Sequence, residues 1–299
     1  MTDKSFRFDK SENLKEDIKN RIQDGVKEIY NSDRFKEFLK TAAKFYDYSL
    51  NNQILILAQE PGATWCAGFQ KWKELGRSVN KGEKGIKIVA CGEKKIKTIN
   101  NQTGEEEERL GRCFFPVTVF DVSQTSGKEI VLNPYEVHLL NGSVERFDAM
   151  RNALIKESGC NVYFEDFKNQ SGRGYFDSGS REIHVSNALS QADTIRTLAH
   201  EVCHAKLHAD TKEMKERGAT RGIKEVEAEA TAFVVCERLG IDTSSISFGY
   251  IAGWAKGKDV PELKESLERI TNAATDLSSA VLKNLNIENK KERATCKAR

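Results

Sequence analysis

Three of the chain's five histidines fall within nine positions, in TLAHEVCHAKLHAD at residues 197–210. His200, Glu201 and His204 make the pattern H-E-x-x-H. In an α-helix, residues four apart share a face, so both imidazoles can direct a ring nitrogen at one Zn²⁺. Glu201 is rotated by one position, where its carboxylate reaches a water beside the metal without ligating it. That is the placement of a general base in metal-assisted hydrolysis. Ile195, Leu198, Ala199, Val202 and Leu207 supply the apolar stripe that would pack such a helix against a core. A straight helix rises about 6 Å over four residues, so His208 lies past the ion, either against a ligand histidine or facing solvent. It is no metzincin-type third ligand, because that pattern places its histidine six beyond the second and needs a glycine to turn the chain.

A catalytic zinc keeps three protein ligands and leaves one position open to water. The third is expected downstream in KEVEAEATAFVV, where Glu225 and Glu229 share a helical face and Glu227 points roughly away. Val226, Ala230, Phe233, Val234 and Leu239 mark this helix as packed, and a charged side chain on a packed helix needs a compensating partner. The Glu-Ala-x-Ala-Phe setting favours Glu229 as ligand. Glu225 is the runner-up, or an acceptor for a ligand histidine.

The elements that must hold these residues can be read from periodicity. Residues 11–45 alternate as two helices broken at Asn31–Asp33, and a third covers 51–59, halted by Pro61-Gly62. Short apolar, β-branched or aromatic runs at 65–69, 86–90 and 114–121 read as strands, with NNQTGEEEERLGR as a polar hairpin arm or loop. Turn residues from 124 to 142 suggest a domain boundary. The second half reads as a helix at 144–158 and strands at 161–165 and 181–186, joined by the glycine-rich QSGRGYFDSGS. Helices then follow at about 192–208, 224–239, 249–255 and 261–285. Strands followed by a run of helices indicate α+β. The strand at 181–186 is expected to hold an extended substrate by edge pairing.

At 299 residues the chain suits two domains, and a net charge of +2 does not by itself announce a nucleic-acid partner. The seven cysteines are odd in number and never spaced CxxC, which excludes a disulfide framework and a zinc knuckle. With no signal peptide and no apolar run of bilayer length, the expectation is a soluble cytoplasmic protein without membrane contact. Local charge is less even. Residues 71–97 carry nine basic side chains against three acidic ones, a net +6 that could follow a phosphate backbone. Tyr46, Tyr48, Trp65, Phe69 and Trp72 interleave with it and offer faces for unpaired bases.

HEVCHAKLH, EVEAEATAFVVCERLGI and SFGYIAGWA together resemble the zincin-like metallopeptidase domain of ArdC/LtrC-type proteins of mobile genetic elements, itself similar to the ImmA/IrrE peptidases. The resemblance implies a gluzincin-like site with His200, His204 and Glu229 as ligands and Glu201 as base. It also implies that Tyr250 and Trp254 line the cleft, with Tyr250 as a hydrogen-bond donor to the oxyanion. YSLNNQILILAQEPGATWCAGFQKWKELGRSVNKGEKGIKI, with the later VTVFDVSQTSG, is similar to the ArdC-type domain implicated in single-stranded DNA binding. On that likeness Tyr48, Trp72, Lys73, Lys81, Lys84 and Lys87 are the DNA-binding candidates.

The expectation is therefore an α+β chain in two domains. An ArdC-like single-stranded DNA-binding domain would occupy 1–126, a linker 127–142, and a zinc metallopeptidase domain that cleaves a protein or peptide 143–299. The family implies antirestriction during plasmid or transposon transfer. Two alternatives stand beside this: a DNA-coating protein whose zinc site is structural or vestigial, and a regulatory peptidase that cleaves a repressor.

Overall fold

Asn31 takes an extended conformation between two amphipathic runs and so separates helix α1 (Leu14–Ile29) from α2 (Ser32–Lys44). In the computed structural model, the described residues are 14–99, 106–130, 144–167, 172–209, 220–241, 245–249 and 251–285. The chain divides into two compact units, one built from residues 47–130 with 1–22 and 291–299, the other from 23–46 with 131–290. The sequence-based boundary at 126 leaves residues 23–46 with the amino-terminal part, whereas in the structure they pack in the second unit.

The first unit centres on α3 (Leu50–Gln59), capped by the Ser49 hydroxyl, which accepts from Asn52 N–H. Its run of Ile54, Leu55, Ile56 and Leu57 is buried. It lies against a sheet of order β1-β4-β3, made of Cys66–Gly68 (β1), Ile86–Ile99 (β3) and Glu106–Asp121 (β4), antiparallel throughout. The described part of the polar arm, from Glu106 on, is strand: β3 and β4 stay paired from Ile86↔Val119 to Ile99↔Glu106. Strand β3 has an open outer edge, which two amide side chains of α3 close. Asn52 donates to Val89 O and accepts from Val89 N, both at 2.9 Å, and Gln59 does the same with Lys87 at 2.8 Å. Capping an edge this way satisfies backbone groups that would otherwise template pairing with another chain. Helix α4 (Phe69–Glu74) and a two-stranded pair, β2 (Arg77–Val79) with β5 (Thr125–Gly127), complete the unit.

In the second unit, α5 (Val144–Ser158) precedes a sheet of order β6-β8-β7, from Asn161–Glu165 (β6), Gly174–Asp177 (β7) and Glu182–Ser186 (β8). β8 runs parallel to β6 and antiparallel to β7. The expected edge strand at 181–186 is thus the central strand, with both its edges already paired, so it cannot add a substrate strand; among the described residues β6 and β7 are the edge strands, each with one neighbour. Among the described residues four helices follow: α6 (Gln191–Leu207), α7 (Arg221–Leu239), the short α8 (Ile251–Ala255) and α9 (Val260–Asn284). Helix α7 is enclosed by α2, α6 and α9. This explains why Val226, Phe233, Val234 and Val235 on it are almost completely buried. Helix α2 braces the unit further: Lys36 Nζ donates to Ile246 O at 2.6 Å, and Tyr30 Oη just before it donates to Leu263 O at 2.8 Å. No described helix is long and apolar enough to cross a membrane.

Candidate metal centre

Helix α6 begins at Ser190, whose hydroxyl accepts from Asp193 N–H. That cap fixes the phase of the helix, so Ile195, Leu198, Ala199 and Val202 enter the core. His200 and His204 are then left on one face, with their Nε2 atoms 3.0 Å apart. Glu225, from the first turns of α7, places Oε2 at 3.5 Å from His200 Nε2 and 3.7 Å from His204 Nε2. The three ligand atoms lie within 4.8 Å of one another. Ligands held about 2.0 Å from a tetrahedral ion stand about 3.3 Å apart, so spacing and donor type both suit a small divalent cation.

Glu229, the expected third ligand, sits elsewhere. Its Oε2 lies 3.2 Å from His200 Nδ1, the nitrogen on the far edge of the ring, an ion-pair distance without hydrogen-bond alignment. One helical turn separates the two glutamates, so Glu225 reaches the paired Nε2 atoms while Glu229 reaches behind His200. Burial opposes a charge on His200, but the carboxylates of Glu225 and Glu229 outweigh it and push its pKa to about 10. The two imidazoles in turn hold the Glu225 carboxyl far below the usual carboxylate range.

Glu201 faces the sheet side of α6 and is 5 % exposed. Burial pushes its carboxyl upward, with His200, His204 and the nearby backbone of Phe176 in β7 pulling in the opposite direction. β7 comes this close because residue 174 is glycine. A Cβ there would meet Thr197 Cγ2 at 2.7 Å, His184 O at 2.8 Å and Glu201 Cγ at 3.5 Å. In the sequence Gly174 looks like one turn glycine among several; its role is to let a strand touch the H-E-x-x-H helix. Cys203, inside the motif, is a core residue: burial pushes its thiol up to about 12, and its Sγ lies 3.9 Å from Glu227 O.

His208 is buried rather than exposed and touches His204, with the two Nδ1 atoms 3.0 Å apart. The sequence offered Glu227 no role, yet it is completely buried, with Oε2 3.0 Å from His208 Nε2 and Oε1 accepting from Arg269 Nε at 2.8 Å. The signal was present in the rule that a charged residue on a packed helix needs a partner. Tyr250 lies outside the described residues. Trp254 packs against Tyr30, the rings tilted by 31° with centroids 5.3 Å apart, and carries the Lys258 ammonium 5.0 Å from its ring centre.

The DNA-binding candidates of the first unit differ in exposure. Trp72 is 0 % exposed, donates its indole N–H to Phe120 O at 3.0 Å and packs edge-on against Trp65. Its faces are therefore taken by the core, which corrects its assignment as a base-stacking residue. Tyr48 is half-buried and donates to Cys66 O at 2.8 Å. Lys87 is half-buried, with its ammonium on the Thr118 hydroxyl. Lys73, Lys81 and Lys84 are exposed, and Lys73 lies 5.2 Å over the ring of Phe69, itself 50 % exposed.

Comparison with known proteins divides the chain between residues 120 and 155, with residues 23–46 inside the first match although they pack in the second compact unit. The model of the N-terminal domain of anti-restriction factor ArdC matches residues 8–120, and the IrrE N-terminal-like domain of the M78 peptidases matches 155–247. An uncharacterized protein of Bacillus anthracis is 28 % identical across 95 % of this chain, and the chain spans about half (54 %) of that relative's length. The crystal structure of the metal-free antirestriction ArdC protein from plasmid R388 shares the fold, with a TM-score of 0.51 and 22 % identity over 80 % of this chain and 85 % of that one. A Mn(II)-bound structure of the same protein aligns with a TM-score of 0.47 at 21 % identity, covering 82 % and 86 %. The chain is thus similar to ArdC, with an amino-terminal part that matches the ArdC N-terminal domain and a later part that matches the IrrE N-terminal-like domain.

Proposed function

We infer that the chain is a divalent-metal-dependent peptidase joined to a single-stranded DNA-binding domain, and that it serves antirestriction during transfer of mobile DNA. The observation that carries the peptidase reading is the meeting of His200 Nε2, His204 Nε2 and Glu225 Oε2 at ligand spacing, with the buried Glu201 carboxylate on the same helix. These three residues would hold the ion, and two imidazoles with one carboxylate suit Zn²⁺. When bound, the ion supplies Lewis-acid polarisation of a carbonyl and lowers the pKa of a water.

The remaining work belongs to this chain's own groups. Glu201 takes the proton of the attacking water and returns it to the leaving amine. Its apolar surroundings, which raise its carboxyl pKa, bring that affinity nearer to neutral pH, where proton transfer in both directions is efficient. The Glu201 side chain is held against Gly174 of β7, and the Glu229 carboxylate lies behind His200, 3.2 Å from its Nδ1. β7 offers its unpaired edge to an extended peptide, so the scissile bond arrives beside Glu201 already aligned.

The DNA reading rests on exposed Lys73, Lys81 and Lys84 and the exposed ring of Phe69, together with the match to the ArdC amino-terminal domain. Metal analysis of the purified full chain tests the centre. About one equivalent of Zn²⁺ retained through gel filtration, and lost in His204→Ala, supports the reading; a wild-type chain that emerges without stoichiometric metal after Zn²⁺ loading sinks it.

A further inference from the structure

From the ring edge of His204 opposite Nε2, a line of polar side chains runs inward across three helices. His204 and His208 on α6 meet through their Nδ1 atoms at 3.0 Å, His208 Nε2 meets Glu227 Oε2 of α7 at 3.0 Å, and Arg269 of α9 donates to Glu227 Oε1 at 2.8 Å. The His208 and Glu227 side chains are 2 % and 0 % exposed. A carboxylate so fully removed from water is tolerated only when its oxygens are satisfied, and here one is held by a guanidinium and the other by an imidazole. Glu225 and Glu229 serve the opposite side of α7, so three glutamates at alternate positions have divided between the site and the core behind it.

We propose that His208, Glu227 and Arg269 set the tautomer of His204 and thereby aim its Nε2 lone pair at the metal ion. The inference rests on the metal-site reading above. Its logic is a count of protons along the line. Arg269 donates to Glu227 Oε1, and a carboxylate paired with a guanidinium on one oxygen is placed to accept on the other. The proton between Glu227 and His208 therefore sits on His208 Nε2, and a neutral imidazole protonated there presents a lone pair at Nδ1. His204 must meet that lone pair with a proton of its own on Nδ1. Its Nε2 is then bare, 3.0 Å from His200 Nε2 and 3.7 Å from Glu225 Oε2. The reversed arrangement would place a proton on His204 Nε2 and block ligation.

A carboxylate orienting a ligand histidine directly is a general device of metal sites. Here Glu229 stands behind His200 at ion-pair distance, while for His204 the carboxylate acts through a second imidazole and is sealed from solvent. His208 and Glu227 are positioning residues in this arrangement, since neither reaches the ion.

The test is Zn²⁺ affinity of the full chain by chelator competition, with melting of the metal-free protein measured alongside. Glu227→Gln, which can turn an amide donor toward His208, and His208→Phe, which removes both contacts, are each expected to weaken Zn²⁺ binding about 10- to 100-fold. His208→Gln keeps an acceptor for His204 and a donor for Glu227, and should bind Zn²⁺ more tightly than His208→Phe even where the two melt alike. The ring ¹⁵N signals of the Zn²⁺-loaded wild type should show His208 protonated at Nε2 and bare at Nδ1, a readout that stands if the variants fail to fold.

A wild type that binds Zn²⁺, with His208→Phe and Glu227→Gln binding it equally tightly, overturns this inference and leaves the metal site intact. His208 protonated at Nδ1 does the same. A wild type that binds no Zn²⁺ removes both together.

Discussion

Between α6 and α7, side chains from positions far apart in the chain bring their functional atoms within a few ångströms of one another, and the charges there change each other's proton affinities. Along α4 and the segment leading to β3 nothing comparable happens. Lys73 lies on Phe69, Lys87 on Thr118, and Lys81 and Lys84 stand exposed. The contrast follows from the chemistry each part would perform. Polarising one bond needs a few atoms placed to a fraction of an ångström, and a helix supplies that through its fixed period. Following a phosphate chain needs only cations at intervals, and a solvated face offers the same arrangement.

The largest expected effect tests the convergent side. Glu201→Gln keeps the shape of the side chain but cannot take up a proton, so peptide cleavage should fall by about 10²- to 10⁴-fold, while Zn²⁺ analysis of the same preparation remains unchanged. Cleavage at the wild-type rate would mean that the buried carboxylate has no part in proton transfer. Next comes Trp72, which separates core from surface in the first unit. Trp72→Ala should lower the unfolding free energy by about 3–5 kcal/mol, seen as an earlier denaturant midpoint. If stability is unchanged and only DNA retention falls, the indole faces a ligand after all. A smaller effect distinguishes the two glutamates at the centre. Glu229→Gln should weaken Zn²⁺ binding about 10- to 100-fold, whereas Glu225→Gln, which loses a ligand, should weaken it more; the opposite order would make Glu229 the ligand.

The helices of both units were legible in the sequence because their apolar positions repeat at 3.6 residues, and the H-E-x-x-H pair was legible because its spacing is itself the geometry. What failed depended on contacts between elements. Glu225 and Glu229 share one helical face, so periodicity alone cannot say which of them meets the Nε2 pair; the approach of α7 to α6 decides it. Strand β7 was hidden in QSGRGYFDSGS, since its glycines read as turns until Thr197 and Glu201 are found against Gly174. Trp72 stands among lysines and resembles a stacking residue, yet its indole N–H is turned inward to Phe120 O. Residues 23–46 follow the same rule: their amphipathic pattern announces helices, but not that α2 packs against α7 within the second unit.

The smallest expected effect concerns the surface lysines, and it decides whether that face differs from an ordinary solvated one. Lys73→Glu, Lys81→Glu and Lys84→Glu combined leave every described hydrogen bond of the core in place, because all three ammonium groups are exposed, so melting should stay near that of the wild type. If each lysine neutralises one phosphate of a single strand, losing three contacts should reduce the slope of log affinity against log salt by about 2, at about 0.7 for each. Titrations of a fluorescent oligonucleotide at several salt concentrations give that slope directly. A loss of affinity with an unchanged slope would point to Phe69 and base stacking instead, since stacking releases no counterions. If neither affinity nor slope moves, the basic run from 71 to 97 is a solvated face, and the first unit must contact nucleic acid, if it does so at all, through other residues.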